Sequence, residues 1–66
     1  MYDRVYVIRE YNPKRKRWEF FGQCSTADEA ILIKETAMEN YFATFAIFEE
    51  IYNASGELIF KEKLSY

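Results

Sequence analysis

An α+β fold is predicted: a four-stranded antiparallel sheet made of two hairpins, with one helix on one face, in the order ββαββ. Three observations carry that prediction. A capped amphipathic segment occupies Ser25–Tyr41. Runs of β-branched and aromatic residues flank it on both sides, and a turn signal divides each flanking pair of runs.

The first strand spans Tyr2–Tyr11, with Val5, Tyr6, Val7 and Ile8 at its centre. It ends at Asn12-Pro13, where proline presets a turn dihedral and asparagine bonds back to its own main chain. After Lys14-Arg15-Lys16-Arg17 the second strand covers Arg17–Gln23, with Trp18 and Phe20 on one face and Glu19 and Phe21 on the other. Gly22 marks a bulge or the strand's end. The helix opens with Thr26 and Glu29 at capping-box spacing, each side chain satisfying the other's backbone donor. Asp28 and Glu29 lie in the first turn, where the dipole favours negative charge. Ala27, Ala30, Ile31, Ala37, Met38 and Tyr41 form its apolar stripe, and Lys34 falls in the middle of it. The lysine stem then lies along the sheet while the ammonium reaches water. Alternatively the helix is rotated so that Leu32 and Ile33 bury.

The third strand spans Phe42–Tyr52, with Phe45, Ile47 and Ile51 on one face and Thr44, Ala46, Phe48 and Tyr52 on the other. Asn53-Ala54-Ser55-Gly56 places glycine for a left-handed turn residue. The fourth strand, Leu58–Leu64, sets Leu58, Phe60 and Leu64 against Ile59, Lys61 and Lys63.

Sixty-six residues make a single domain, 1–66, with a small core. Half the residues are apolar and a fifth aromatic, which excludes disorder. One cysteine permits no internal disulfide, and the absence of histidine removes the commonest general base and metal ligand. No cofactor or metal is expected. No apolar run approaches the roughly 20 residues of a membrane span, and Met1-Tyr2-Asp3-Arg4 lacks a signal-peptide pattern. The expected location is the cytoplasm, with no membrane partner. The net charge of −2 hides two poles: residues 1–19 carry six basic and three acidic side chains, residues 20–66 three basic and eight acidic.

One helix covers one face of a sheet, yet the first three strands each carry large apolar residues on both faces. The second face is therefore expected to expose an aromatic-rich patch, and such patches mark interaction sites. Tyr6, Trp18, Phe20 and Phe48 are the candidate partner-binding anchors. Lys14, Arg15, Lys16 and Arg17, followed by Trp18, suit either a nucleic-acid backbone or an acidic partner, although four charges also simply keep a turn solvated. Asp28, Glu35 and Glu39 form an acidic helix face that suits a basic partner or is merely solvated. Cys24 stands before the helix start, where a dipole lowers a thiol pKa. With no base to activate it, it reads as a half-buried filler. No catalytic residues are expected.

Val5-Tyr6-Val7-Ile8-Arg9-Glu10, Thr26-Ala27-Asp28-Glu29-Ala30 and Ser55-Gly56-Glu57-Leu58-Ile59 together resemble small prophage-encoded proteins of the anti-CRISPR kind: a hairpin, a Thr- or Ser-capped helix and a closing glycine-turn hairpin. The layout is also similar to the arm-binding domains of phage integrases, whose sheet reads DNA and is usually more basic than this one. The first resemblance implies a phage- or mobile-element-encoded, non-catalytic inhibitor. It would act inside the host cell on a defence or nucleic-acid-processing protein or ribonucleoprotein complex by steric occlusion. The alternatives are a small nucleic-acid-binding protein using residues 14–17 and a homodimeric regulatory protein.

Overall fold

The computed structural model describes residues 2–64; Met1, at the head of the opening segment, lies outside them, as do Ser65 and Tyr66. The elements are β1 (Asp3–Asn12), β2 (Arg17–Cys24), α1 (Ala27–Asn40), β3 (Thr44–Tyr52) and β4 (Leu58–Leu64), in one antiparallel sheet of order β2-β1-β3-β4. The predicted ββαββ fold is the observed one. Strands β2 and β3 run the same way with β1 between them, so α1 is a crossover that passes over β1.

Local chemistry fixes the joints. Thr26 is the N-cap in extended conformation, and its Oγ1 accepts from the Glu29 backbone N–H at 3.2 Å. The return half of the expected capping box takes another form: the Thr26 hydroxyl donates to the Glu29 carboxylate at 3.0 Å. At the first hairpin tip, Asn12 Oδ1 accepts from the backbone N–H of Lys14 and Arg15, and Lys16 adopts φ +55°. At the second, Asn53 Oδ1 accepts from Ser55 and Glu57, and Gly56 takes φ +82°, the left-handed position expected for it.

Two bulges alter the simple alternation. Ile8 faces Gly22 and Arg9 faces Phe20, so Phe21 is an extra residue in β2 and turns with Gly22 toward the helix. Ile51 faces Phe60 and Tyr52 faces Leu58, so Ile59 is extra in β4. It joins Phe60 on the helix side, and Leu58 moves to the other. The expected pairing of Leu58 with Phe60 against Ile59 is thereby corrected.

The helix-side core is Ile8, Ala30, Ala37, Phe45 and Ile47, with Tyr6, Cys24, Ile31, Ile33, Ala43 and Leu64 packed around it. Alanines at the contact points let the helix axis approach the sheet closely. The helix is rotated from the expected stripe: Ile33 packs against the core while Met38 and Tyr41 are exposed. Leu32 stays in water and Lys34 is half-buried beside the stripe. Helix α1 packs on β1, β2 and β3 and leaves the helix side of β4 uncovered.

Candidate functional site

The register places Val5, Val7, Arg9 and Tyr11 of β1 beside Thr44, Ala46, Phe48 and Glu50 of β3 on the face away from the helix. Trp18, Phe20 and Gln23 of β2 flank them on one side, and Lys61 and Lys63 of β4 on the other. This open face is not the bare aromatic patch expected. Val7 and Ala46 are buried, and Phe48 is only 7% exposed, although no backbone layer lies above them. Side chains do the covering. Trp18 meets Phe48 edge-on at 5.6 Å and Tyr11 at 5.2 Å. The Arg9 guanidinium and the Lys61 ammonium lie 5.1 and 5.3 Å from the Phe48 ring centroid, and Lys63 lies 5.0 Å from that of Trp18. Each pairs a cation with the negative face of a ring.

Of the four predicted anchors, the structure brings Trp18, Phe20 and Phe48 to this face. Tyr6 belongs to the other side, half-buried against the helix core. Phe48 is closed to a partner by its cationic cover, Trp18 is half-buried, and Phe20 is 64% exposed.

Glu50 is the one buried charged residue among those described, 1% exposed in the middle of the open face. Its carboxylate accepts from Arg9 at 2.5 Å and from the Tyr52 hydroxyl at 2.7 Å. Burial pushes its pKa up, but those hydrogen bonds and the charges of Arg9 and Lys61 outweigh that and hold it below its ordinary value. The same bond raises the Tyr52 phenol, since losing that proton would set two anions side by side. Glu50 therefore anchors Arg9 over Phe48 and has its charge matched by that guanidinium, so Lys61 and Lys63 make the face net positive. Asp3, at the far end of β1, is the only other carboxylate that the described register puts on this side.

The basic tip is exposed throughout Lys14–Arg17. Its guanidinium groups fold back on Glu19, Arg15 at 3.7 Å and Arg17 at 3.5 Å. A hydrogen bond from Asn12 is the main reason the Glu19 carboxyl sits below its ordinary pKa; partial desolvation opposes it and the two arginines add to it. Lys14 and Lys16 make no ion pair among the described residues. A lysine at φ +55° occupies backbone space that glycine enters more easily, at a cost of about 1 kcal/mol.

The helix side carries exposed apolar groups at two opposite ends. Where α1 ends, Tyr41 caps the helix through its N–H to Ala37, and Asn40 donates to the Thr36 carbonyl. Phe42, placed in the third strand by its aromatic character, instead lies in the short link before β3 with its ring wholly in solvent (112%). Phe42 borders a cleft with Glu10, Tyr11, Asn12, Lys14 and Glu19 of the first hairpin, whereas Tyr41 and Phe21 stack edge-on at 5.9 Å and Phe21 meets Phe45 at 5.0 Å. Phe21, Ile33, Thr36 and Tyr41 line a depression of about 600 Å³. At the other end, Tyr2, Ile51, Ile59 and Phe60 line one of about 490 Å³ where the helix does not reach β4. Asp28, Glu35 and Glu39 are exposed on the helix's outer surface, as the wheel predicts.

Cys24 is half-buried, with its thiol donating to the Thr26 carbonyl at 3.3 Å. Burial raises its pKa, partly countered by that hydrogen bond and reinforced by Glu29, so the helix start does not activate it. No group of three or more metal-ligating side chains occurs among the described residues, nor any helix long and apolar enough to cross a membrane. No family model, curated protein or solved structure matches this chain.

Sequence reasoning missed Phe42, Arg9, Lys61 and Lys63. Alternation along Phe60-Lys61-Glu62-Lys63-Leu64 already set the two lysines on the face opposite Phe60 and Leu64, and only the strand order put Phe48 and Trp18 beneath them. For Phe42 the available signal was Asn40, a residue favoured where helices end, which calls for a link before the next strand.

Proposed function

We propose that the chain is a non-catalytic binding protein that inhibits a larger nucleic-acid-processing complex by steric occlusion, docking through the apolar ends of its helix side. Phe42 carries this reading. It is a large ring wholly in water, on a link whose backbone is pinned by the helix cap on one side and β3 on the other. The pinned backbone fixes where the ring projects, and a large ring wholly in water has the most apolar area to gain from burial in a partner. Tyr41, next to it in the chain, Phe21, stacked on Tyr41, and Met38, in the last turn of the helix, are further exposed apolar groups. The basic hairpin tip serves to steer encounter with an acidic or nucleic-acid-bearing target. A host defence complex is the target that the resemblance to prophage-encoded inhibitors implies.

The experiment is differential capture from a host lysate on immobilised wild type and Phe42→Ala, followed by assay of the captured complex with added free protein. A complex retained by the wild type, lost with Phe42→Ala and inhibited by the free protein supports the reading. Equal capture by both proteins sinks it.

A further inference from the structure

We propose that the open face of the sheet binds single-stranded nucleic acid, with Lys61 and Lys63 taking phosphates and Trp18 and Phe20 stacking bases. The proposal concerns the face opposite the helix and stands whether or not a protein docks on the helix side.

Charge complementarity selects the occupant. On the open face Arg9 is taken up by the central carboxylate, Glu50, to which Tyr52 also donates, so Lys61 and Lys63 are the cations left for a partner. Asp3 lies at the far end, beside Tyr52. Lys14 and Lys16 stand at the end nearest Tyr11 and Trp18, at a tip that holds a lysine in left-handed conformation. The exposed carboxylates Asp28, Glu35 and Glu39 are on the helix, on the other side. A polyanion therefore meets one favourable side of an otherwise acidic protein.

The rings decide which polyanion. Lys61 and Lys63 are exposed, and each ammonium now rests against a ring. A phosphate offers a lysine a stronger partner than a ring does, so an incoming strand draws the ammonium groups outward and frees the upper surface of Trp18. Phe20 is open without any such exchange. A base can then stack on each ring, an interaction every base can make. Duplex bases are already stacked on one another and present no free ring face to a sheet. An acidic peptide supplies the charge without the planar groups.

Trp18 is the chain's one tryptophan, so the site reports on itself. Its emission is titrated with an oligouridine of about ten nucleotides at several salt concentrations, with a matched duplex and polyglutamate as competitors. Saturable quenching is expected, weakening with salt at a slope of log K against log salt of about −0.7 per phosphate neutralised. The double variant Lys61→Ala, Lys63→Ala should flatten that slope by about 1.4. Phe20→Ala, at a position exposed enough to leave folding intact, should weaken binding about tenfold. Circular dichroism confirms that both variants are folded. The proposal is overturned by an absence of saturable quenching, by variants that bind as the wild type does, or by duplex or polyglutamate reversing the quenching at concentrations equal to that of the oligouridine.

Discussion

On the helix side, Ile8, Phe45 and Ile47 are buried beneath a helix that presents alanines to them. On the open side, Val7, Ala46 and Phe48 are buried almost as deeply with no second layer of backbone. The first cover is hydrophobic packing between elements; the second is a single layer of rings and cations held by an ion pair. The exposed residues follow from this difference. The helix is short and narrow, so apolar groups spill out at both its ends, at Phe42 and at Ile59 and Phe60. The side-chain cover presents charge at its centre, with Phe20 and Leu58 as its exposed apolar residues at the flanks. Two faces with similar apolar content thus offer different surfaces, one suited to apolar docking and the other to an anion.

The largest effect should come from breaking the side-chain cover at its anchor. Arg9→Ala leaves a buried carboxylate without its charge partner, and such losses cost about 3–5 kcal/mol, comparable to the whole stability of a small domain. The urea midpoint should collapse, and Arg9→Ala with Glu50→Gln should recover part of it. The sign of the pH effect follows from the depressed Glu50 pKa. Its contribution is complete above the ordinary value of 4.5 and is lost as pH falls through the lower folded value. Urea midpoints measured from neutral pH downward should therefore fall less steeply in Glu50→Gln than in the wild type.

Phe48→Ala and Phe42→Ala sharpen the contrast between the two sides. Truncating a covered phenylalanine costs about 3 kcal/mol or more, whereas truncating a fully exposed one stays within about 0.5 kcal/mol. Thermal or urea unfolding of the pair measures both. Equal losses would mean that the open side is not a core.

Much of the architecture was legible because its signals are local. Thr26 and Glu29, Asn12-Pro13 and Asn53–Gly56 set their joints through atoms a few residues apart. The alternation of Phe45 and Ile47 against Ala46 and Phe48 needed only the pleat. What could not be read depends on neighbours in space. The bulges at Phe21 and Ile59 are set by the partner strand, and they decide which side those residues join. The covering of Phe48 needs β1 and β4 on either side of β3, a consequence of strand order rather than of any one stretch. An apolar count per face therefore predicted an open patch where lysines and an arginine close it.

Smaller effects test the helix side and the tip. Thr26→Ala should cost about 1 kcal/mol by removing the acceptor for the Glu29 N–H, visible as a lower melting temperature. Lys16→Gly should be neutral or stabilising by up to about 1 kcal/mol, because it relieves the left-handed backbone. A melting temperature clearly below that of the wild type would contradict this reading of the tip.

The most direct measurement of the cationic cover is quenching of Trp18 emission by iodide and by caesium, one anion and one cation. A ring beneath Lys63 should be quenched more strongly by iodide, and the difference should shrink when Lys63 is replaced by alanine. Caesium quenching equal to or greater than that by iodide in the wild type would contradict the account.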